Sequence, residues 1–234
     1  MFPFRDNVPS RSVPLMTYAL IWINVIVFVY EVSLGADLNE FIRAFGLVPG
    51  AVTRAVPLGP FGVVLPFFTS MFLHGGWLHL LGNMWFLYLF GDNVEDRMGS
   101  LRFLWFYIVA GLAAGLTHVV FSPASPVPTI GASGAVAGVL GAYLVLYPRA
   151  KVATLLWLGF FVDVVALPAV TFLGYWFLLQ LVAGLFFGVA GQTGGGVAWW
   201  AHVGGFVLGF VFARFLCKQC ALERHPVDPR PYFR

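Results

Sequence analysis

Long apolar runs, nearly free of charge, constrain this chain more than any other feature. They extend from Leu15 to Val32, Phe67 to Phe90, Leu101 to Phe121, Ala132 to Tyr147, Val170 to Ala190 and Trp199 to Cys217. Runs approaching ~20 residues cross a bilayer as helices, because lipid offers no partner to an unpaired backbone N–H or C=O. With 60% of residues hydrophobic and 10% charged, too little polar surface remains to coat a soluble globule. The expected fold class is an all-α polytopic membrane protein with six transmembrane helices. It is expected to form a single domain over 1–234, with a helical core at about 14–217 and short cytosolic tails.

The net charge of +3 is better read by position than by sum, as an orientation signal and not as a nucleic-acid surface. If 152–170 does not cross, then Arg5, Arg11, Arg97, Arg102, Arg149, Lys151, Arg214, Lys218, Arg224, Arg230 and Arg234 share one side. Only Arg43 and Arg54 fall on the other. Asp163 and Pro168 within 152–170 suit an interfacial or re-entrant piece better than a spanning helix. Both termini are then expected inside, in a multi-pass protein of a bacterial inner membrane. The first run is too long for a signal-peptide core and lacks a small-residue cleavage site, so it reads as a retained helix. Asn24 within it should face another helix, since an amide facing lipid is costly. The Gly- and Pro-rich segment 35–66 reads as a long first loop, and 191–196 as a flexible outer loop. Cys217 and Cys220 suggest no disulfide framework and, with His225, too few ligands for a metal knuckle.

On this topology the second, fourth and sixth runs start on the same side, which brings their polar residues to one depth. The fourth opens with Gly131-Ala132-Ser133-Gly134-Ala135-Val136-Ala137-Gly138-Val139-Leu140-Gly141-Ala142, a stretch with little side-chain bulk. Small residues of this kind permit close helix contact in lipid. His202 precedes Gly205 and Gly209 on one face of the sixth helix, and Ser133, Ala137 and Gly141 form a matching stripe. Packing the two stripes would bring Ser133 and His202 within hydrogen-bond reach, as a nucleophile and general base require. His79 and Asn83, at i and i+4, point at one spot from the second helix and could hold a developing oxyanion. His74 lies about 140° away on an ideal helix, and Gly75-Gly76 would break the helix there, which suits a loop or supporting role. Backbone N–H groups at the start of the fourth helix add further donors.

Other uses of the same residues are open at this point. Polar side chains often serve as interhelical glue. Three histidines at one level could bind zinc, although no carboxylate or cysteine accompanies them and Ser133 would be idle. A transporter would need a charged midplane site. Glu95-Asp96-Arg97 reads as a solvated turn, His118 as a satisfied interior histidine, and Trp77, Trp199 and Trp200 as an interfacial belt.

These residues together resemble the rhomboid family of intramembrane serine proteases. The match comprises Gly131-Ala132-Ser133-Gly134 for its GxSG motif, Ala201-His202-Val203-Gly204-Gly205 for its histidine motif, and His74, His79 and Asn83 on the second helix. Glu95 with Arg97, Gly141-Ala142-Tyr143 and Trp199-Trp200 extend the resemblance over about 45–213. It implies a six-helix rhomboid-like bundle in which Ser133 is the nucleophile and His202 the base, with no acid. The same matching implies an oxyanion site from His79, Asn83 and the Ser133 amide, supported by Gly131 and His74, and a structural role for Glu95 and Arg97. It further implies single-span transmembrane protein substrates in the lipid bilayer, and neither metal nor organic cofactor. A catalytically silent rhomboid-like binder or chaperone of membrane clients is the alternative. One departure stands out: position 137 is Ala where some members carry an aromatic ring against the histidine, so the group that orients His202 is not evident.

Overall fold

The computed structural model describes residues 1–54, 62–187 and 197–216. The expectations for 191–196, Cys217, Cys220, His225 and the C-terminal charges lie outside the described residues. Strand β1 (Phe2–Asp6) precedes helix α1 (Leu15–Ser33). A 3-10 turn and the short helices α2 (Leu38–Phe45), α3 (Pro49–Thr53) and α4 (Leu65–Thr69) follow. The larger elements after them are α5 (Trp77–Met98), α6 (Ser100–Phe121), α7 (Ser133–Leu146), strands β2 (Lys151–Leu158) and β3 (Phe161–Pro168), α8 (Ala169–Phe187) and α9 (Trp199–Leu216). Among the described residues α1, α6 and α8 are long and apolar enough to cross a membrane, and α7 and α9 are shorter apolar helices.

Two expectations need correction. The fold is mostly helical but not all-α: the piece at 152–170 that was expected to be interfacial or re-entrant is extended over 151–168. It forms a β-hairpin, Lys151 opposite Pro168 and Leu158 opposite Phe161, and β1 pairs antiparallel on the free edge of β2, Phe2 opposite Leu155. Its sequence is rich in Val and aromatic residues, which favour strands. Gly159, with φ +67°, and Phe160 make the two-residue turn, for which a glycine in the first position is favoured. The second run is also not one helix. It is broken at 73–76, and α5 then continues straight through the charged stretch to Met98, where Gly99 ends it at φ +78°.

That continuation explains Glu95, which is not part of a solvated turn. Its side chain is 1% exposed and caps the start of α1, accepting from the Met16 and Thr17 N–H groups (2.9 and 2.7 Å), the Thr17 hydroxyl (2.8 Å) and the Ser100 hydroxyl (2.6 Å). A carboxylate here meets both the unpaired N–H groups and the positive end of the helix. Glu95→Ala is expected to lower stability by about 3 kcal/mol, because hydrogen bonds to a charged group are lost and buried donors are left unpaired. An unfolding midpoint matching wild type would show that the cap is dispensable. The lead before α1 is pinned too: Tyr143 donates its hydroxyl to Asp6 (2.5 Å), Trp85 donates to the Pro3 carbonyl (2.6 Å), and the Ser12 N–H donates to Asp96 (2.9 Å).

The core is built around α7, in which every residue from Gly134 to Tyr143 is buried. Its contact with α9 is backbone against backbone. A Cβ at Gly205 would collide with the Gly134 carbonyl oxygen, one at Gly209 with that of Gly138, and one at Gly141 with that of Phe206. The face of α7 that meets α9 is therefore Gly134, Gly138 and Gly141; Gly141 was expected there, whereas Gly134 and Gly138 stand one residue on from the expected Ser133 and Ala137. On α6, Ala114 and Ala110 fill the space beside Gly134 and Gly138. Asn24 is fully buried, facing protein as expected, and its amide nitrogen donates to the Leu20 carbonyl (2.7 Å).

Candidate active site

The proline-rich segment before α7 cannot continue α6, and it delivers Ser133 as the first residue of α7. Gly131 holds the turn at φ +129°, a conformation that side chains rarely adopt, and its N–H donates to the Ser70 carbonyl (2.8 Å). A Cβ at Gly131 would stand 2.7 Å from His79 Nε2, so glycine is needed for space as well. On α9, His202 sits in the first turn above Gly205 and Gly209. Because those glycines let α7 and α9 touch, His202 Nε2 lies 2.8 Å from Ser133 Oγ.

From α5, His79 Nδ1 accepts the Gly75 N–H (3.3 Å), which leaves the proton on Nε2, the atom beside Gly131. Asn83 donates through Nδ2 to His74 Nε2 (3.0 Å), while His74 Nδ1 faces the Phe72 carbonyl (3.3 Å). One N–H of the Asn83 amide is thus directed by His74, and the other is available to the cavity. His74 lies outside α5, as the Gly75-Gly76 break led one to expect, and stands behind Asn83.

Ser133, His202, His79, Asn83 and Gly131 all line one cavity of about 720 Å³. Ser133, His202, His79 and Asn83, expected to come together from the second, fourth and sixth runs, border this one cavity. His118 also lines it, but His118 Nδ1 is buried with no protein partner, so the residue is interior without being satisfied as expected. Among the described residues no three His, Cys, Asp or Glu side chains converge as a metal-holding group.

Two buried polar residues join the site from positions to which sequence reasoning gives no role. Gln180 on α8 places Oε1 2.7 Å from His202 Nδ1. Glu31, near the end of α1 and 1% exposed, accepts the His74 N–H with one carboxylate oxygen at 3.0 Å and the other at 3.3 Å. A polar side chain inside an apolar run is the signal that could have found both, since such residues are costly in lipid and normally face a partner.

A serine hydroxyl against an imidazole nitrogen, inside a cavity bordered by N–H donors, is an arrangement suited to acyl transfer. Residues 62–219 match the family profile described as the Rhomboid domain. The chain belongs to the rhomboid family. Among relatives, it is similar to the rhomboid protease GluP of Bacillus subtilis, 36% identical over 132 residues that cover 56% of this chain and 24% of that protein. It is similar to the mitochondrial rhomboid protein 1 of Saccharomyces cerevisiae, 29% identical over 66% of this chain and 42% of that protein. A presenilin-associated rhomboid-like protein A, mitochondrial, from Danio rerio is 30% identical over 80% of this chain and 44% of its own length. The chain thus spans less than half the length of these relatives. Family and apolar helices together make this rhomboid an integral membrane protein.

Proposed function

We propose that this rhomboid is an intramembrane serine endopeptidase, a single membrane domain whose six-helix core is α1 and α5 through α9. The observation that carries the reading is the 2.8 Å approach of His202 Nε2 to Ser133 Oγ at the cavity wall. Ser133 Oγ attacks the scissile carbonyl as His202 takes its proton. His202 returns that proton to the leaving amine, and water then hydrolyses the acyl-enzyme with His202 again as base. The N–H groups of His79 Nε2, the Asn83 amide and the Ser133 backbone stabilise the oxyanion in both halves, and no step calls for a metal or organic cofactor.

The substrates proposed are single-span transmembrane proteins. A membrane helix buries its carbonyls in i to i+4 hydrogen bonds, so cleavage takes place where helix-weakening residues let the strand unwind near a membrane boundary. The likeness to the rhomboid protease GluP supports the reading, and a bacterial plasma membrane is the proposed location.

The test is reconstitution of the chain in liposomes with a model single-span substrate, together with labelling by a fluorophosphonate. Cleavage and labelling at Ser133 are expected. Absence of both, across several substrates, would favour a silent client-binding protein. Asn83→Ala is expected to lower kcat about 10²-fold with little change in KM, as removal of one oxyanion donor does. An unchanged kcat would take Asn83 out of the oxyanion site.

A further inference from the structure

We propose that Gln180 of α8 is the positioning residue of the dyad, its amide oxygen fixing the tautomer in which His202 can act as a base. The inference rests on the proteolytic reading above and concerns the same site. An amide oxygen can only accept, so the 2.7 Å contact between Gln180 Oε1 and His202 Nδ1 places the imidazole proton on Nδ1. Nε2 is then left with a lone pair aimed at the Ser133 hydroxyl. The opposite tautomer would donate from Nε2 to Ser133 and could not take its proton. A base oriented by a third group is the general logic of an activated serine, and here an uncharged amide fills that place.

The surroundings of His202 leave this duty to Gln180. Ala137, four residues after Ser133 and fully buried, brings no ring to the imidazole. Trp176 lies beside it with ring centroids 5.8 Å apart, and Trp199 meets it edge-on at 6.4 Å. Two indoles of this kind restrict the plane of the imidazole but do not choose between its nitrogens. Gln180 does, and because both partners are buried, at 7% and 8% exposure, the bond is shielded from competing water. The bond also crosses from α9 to α8, a helix whose apolar span is only 22% buried. The competence of the base therefore depends on how α8 is seated.

The experiment compares wild type, Gln180→Glu and Gln180→Met in liposomes with a single-span substrate. Glutamate keeps the acceptor and the shape, whereas methionine keeps only the shape. Gln180→Met is expected to lose kcat about 10- to 100-fold with KM within twofold, and Gln180→Glu to stay within about threefold of wild type. Wild-type turnover in Gln180→Met, an equal loss in both variants, or a change confined to KM would each overturn the proposal.

A second readout needs no cleavage. Nitrogen-15 NMR of histidine, with the His202 signal identified by its loss in His202→Ala, reports which ring nitrogen holds the proton. Protonation at Nδ1 in wild type and a mixture of tautomers in Gln180→Met is expected. Nε2 protonation in wild type would overturn the proposal. Correct tautomers without cleavage would count against the proteolytic reading alone.

Discussion

Ser133→Ala is expected to leave the fold in place and to lower cleavage by 10⁴-fold or more, on the order seen when a serine nucleophile is removed. The two halves of that expectation have separate grounds. Ser133 Oγ touches His202 and does not cap its own helix, whose N-cap is Ala132, so stability should change by about 1 kcal/mol or less. Chemistry, by contrast, has no substitute for the hydroxyl, since His202 would face a methyl group. Purified wild type and variant, matched for helicity, should be compared on one substrate. Equal cutting would point to another nucleophile or to a contaminant and would end the dyad reading.

Gly205→Leu is expected to abolish activity by a different route. The missing Cβ of Gly205 would collide with the Gly134 carbonyl oxygen, Gly209 stands in the same relation to Gly138, and Gly141 meets the Phe206 carbonyl, so α7 touches the α9 backbone over about two turns. A leucine has no flexible neighbour to push aside there, only backbone, and the helices must separate. In lipid such association relies on close van der Waals packing, which is lost with distance. The 2.8 Å contact between Ser133 and His202 lies at the top of this seam and would open with it. Inserted, helical protein that neither cuts nor reacts with a fluorophosphonate is the expected outcome. Full activity would refute the account of why these helices are glycine-lined.

The parts of this molecule legible in the sequence are those governed by local pattern. Proline before Ser133 and the apolar runs placed α6, α7 and the start of α9 closely, Gly75-Gly76 marked the break before α5, and run order anticipated that Ser133, His202, His79 and Asn83 would come to one cavity. The exact contact face on α7 did not follow, because a shift of one residue in a run of Gly and Ala leaves the pattern nearly unchanged. The hairpin was missed because its strands are mostly apolar, with Lys151, Thr154 and Asp163 too sparse to give a clean alternation, although Gly159 between two runs rich in Val and aromatic residues was a usable turn signal. The residue pattern alone read Glu95 as solvated, because Met16 and Thr17 lie on another helix far back in the chain, and only the family resemblance implied a structural role for it. Gln180 is similar: nothing near residue 180 in sequence indicates that it will meet the imidazole of His202.

The three-stranded sheet bears on the order in which this protein is made. Phe2–Asp6 is synthesised ahead of its partner strand, which, with Phe2 opposite Leu155, follows roughly 150 residues later. At a synthesis rate of about 5 to 20 residues per second, that strand waits roughly 8 to 30 seconds with its hydrogen-bonding edge unmatched. Only after α7 is complete can β2 close on it, and in the finished fold Tyr143 of α7 holds Asp6 at the end of that strand. The sheet is thus a late fastening that ties the first helix to the finished active-site helix, and a nascent chain stalled before residue 151 would have no strand there to close it.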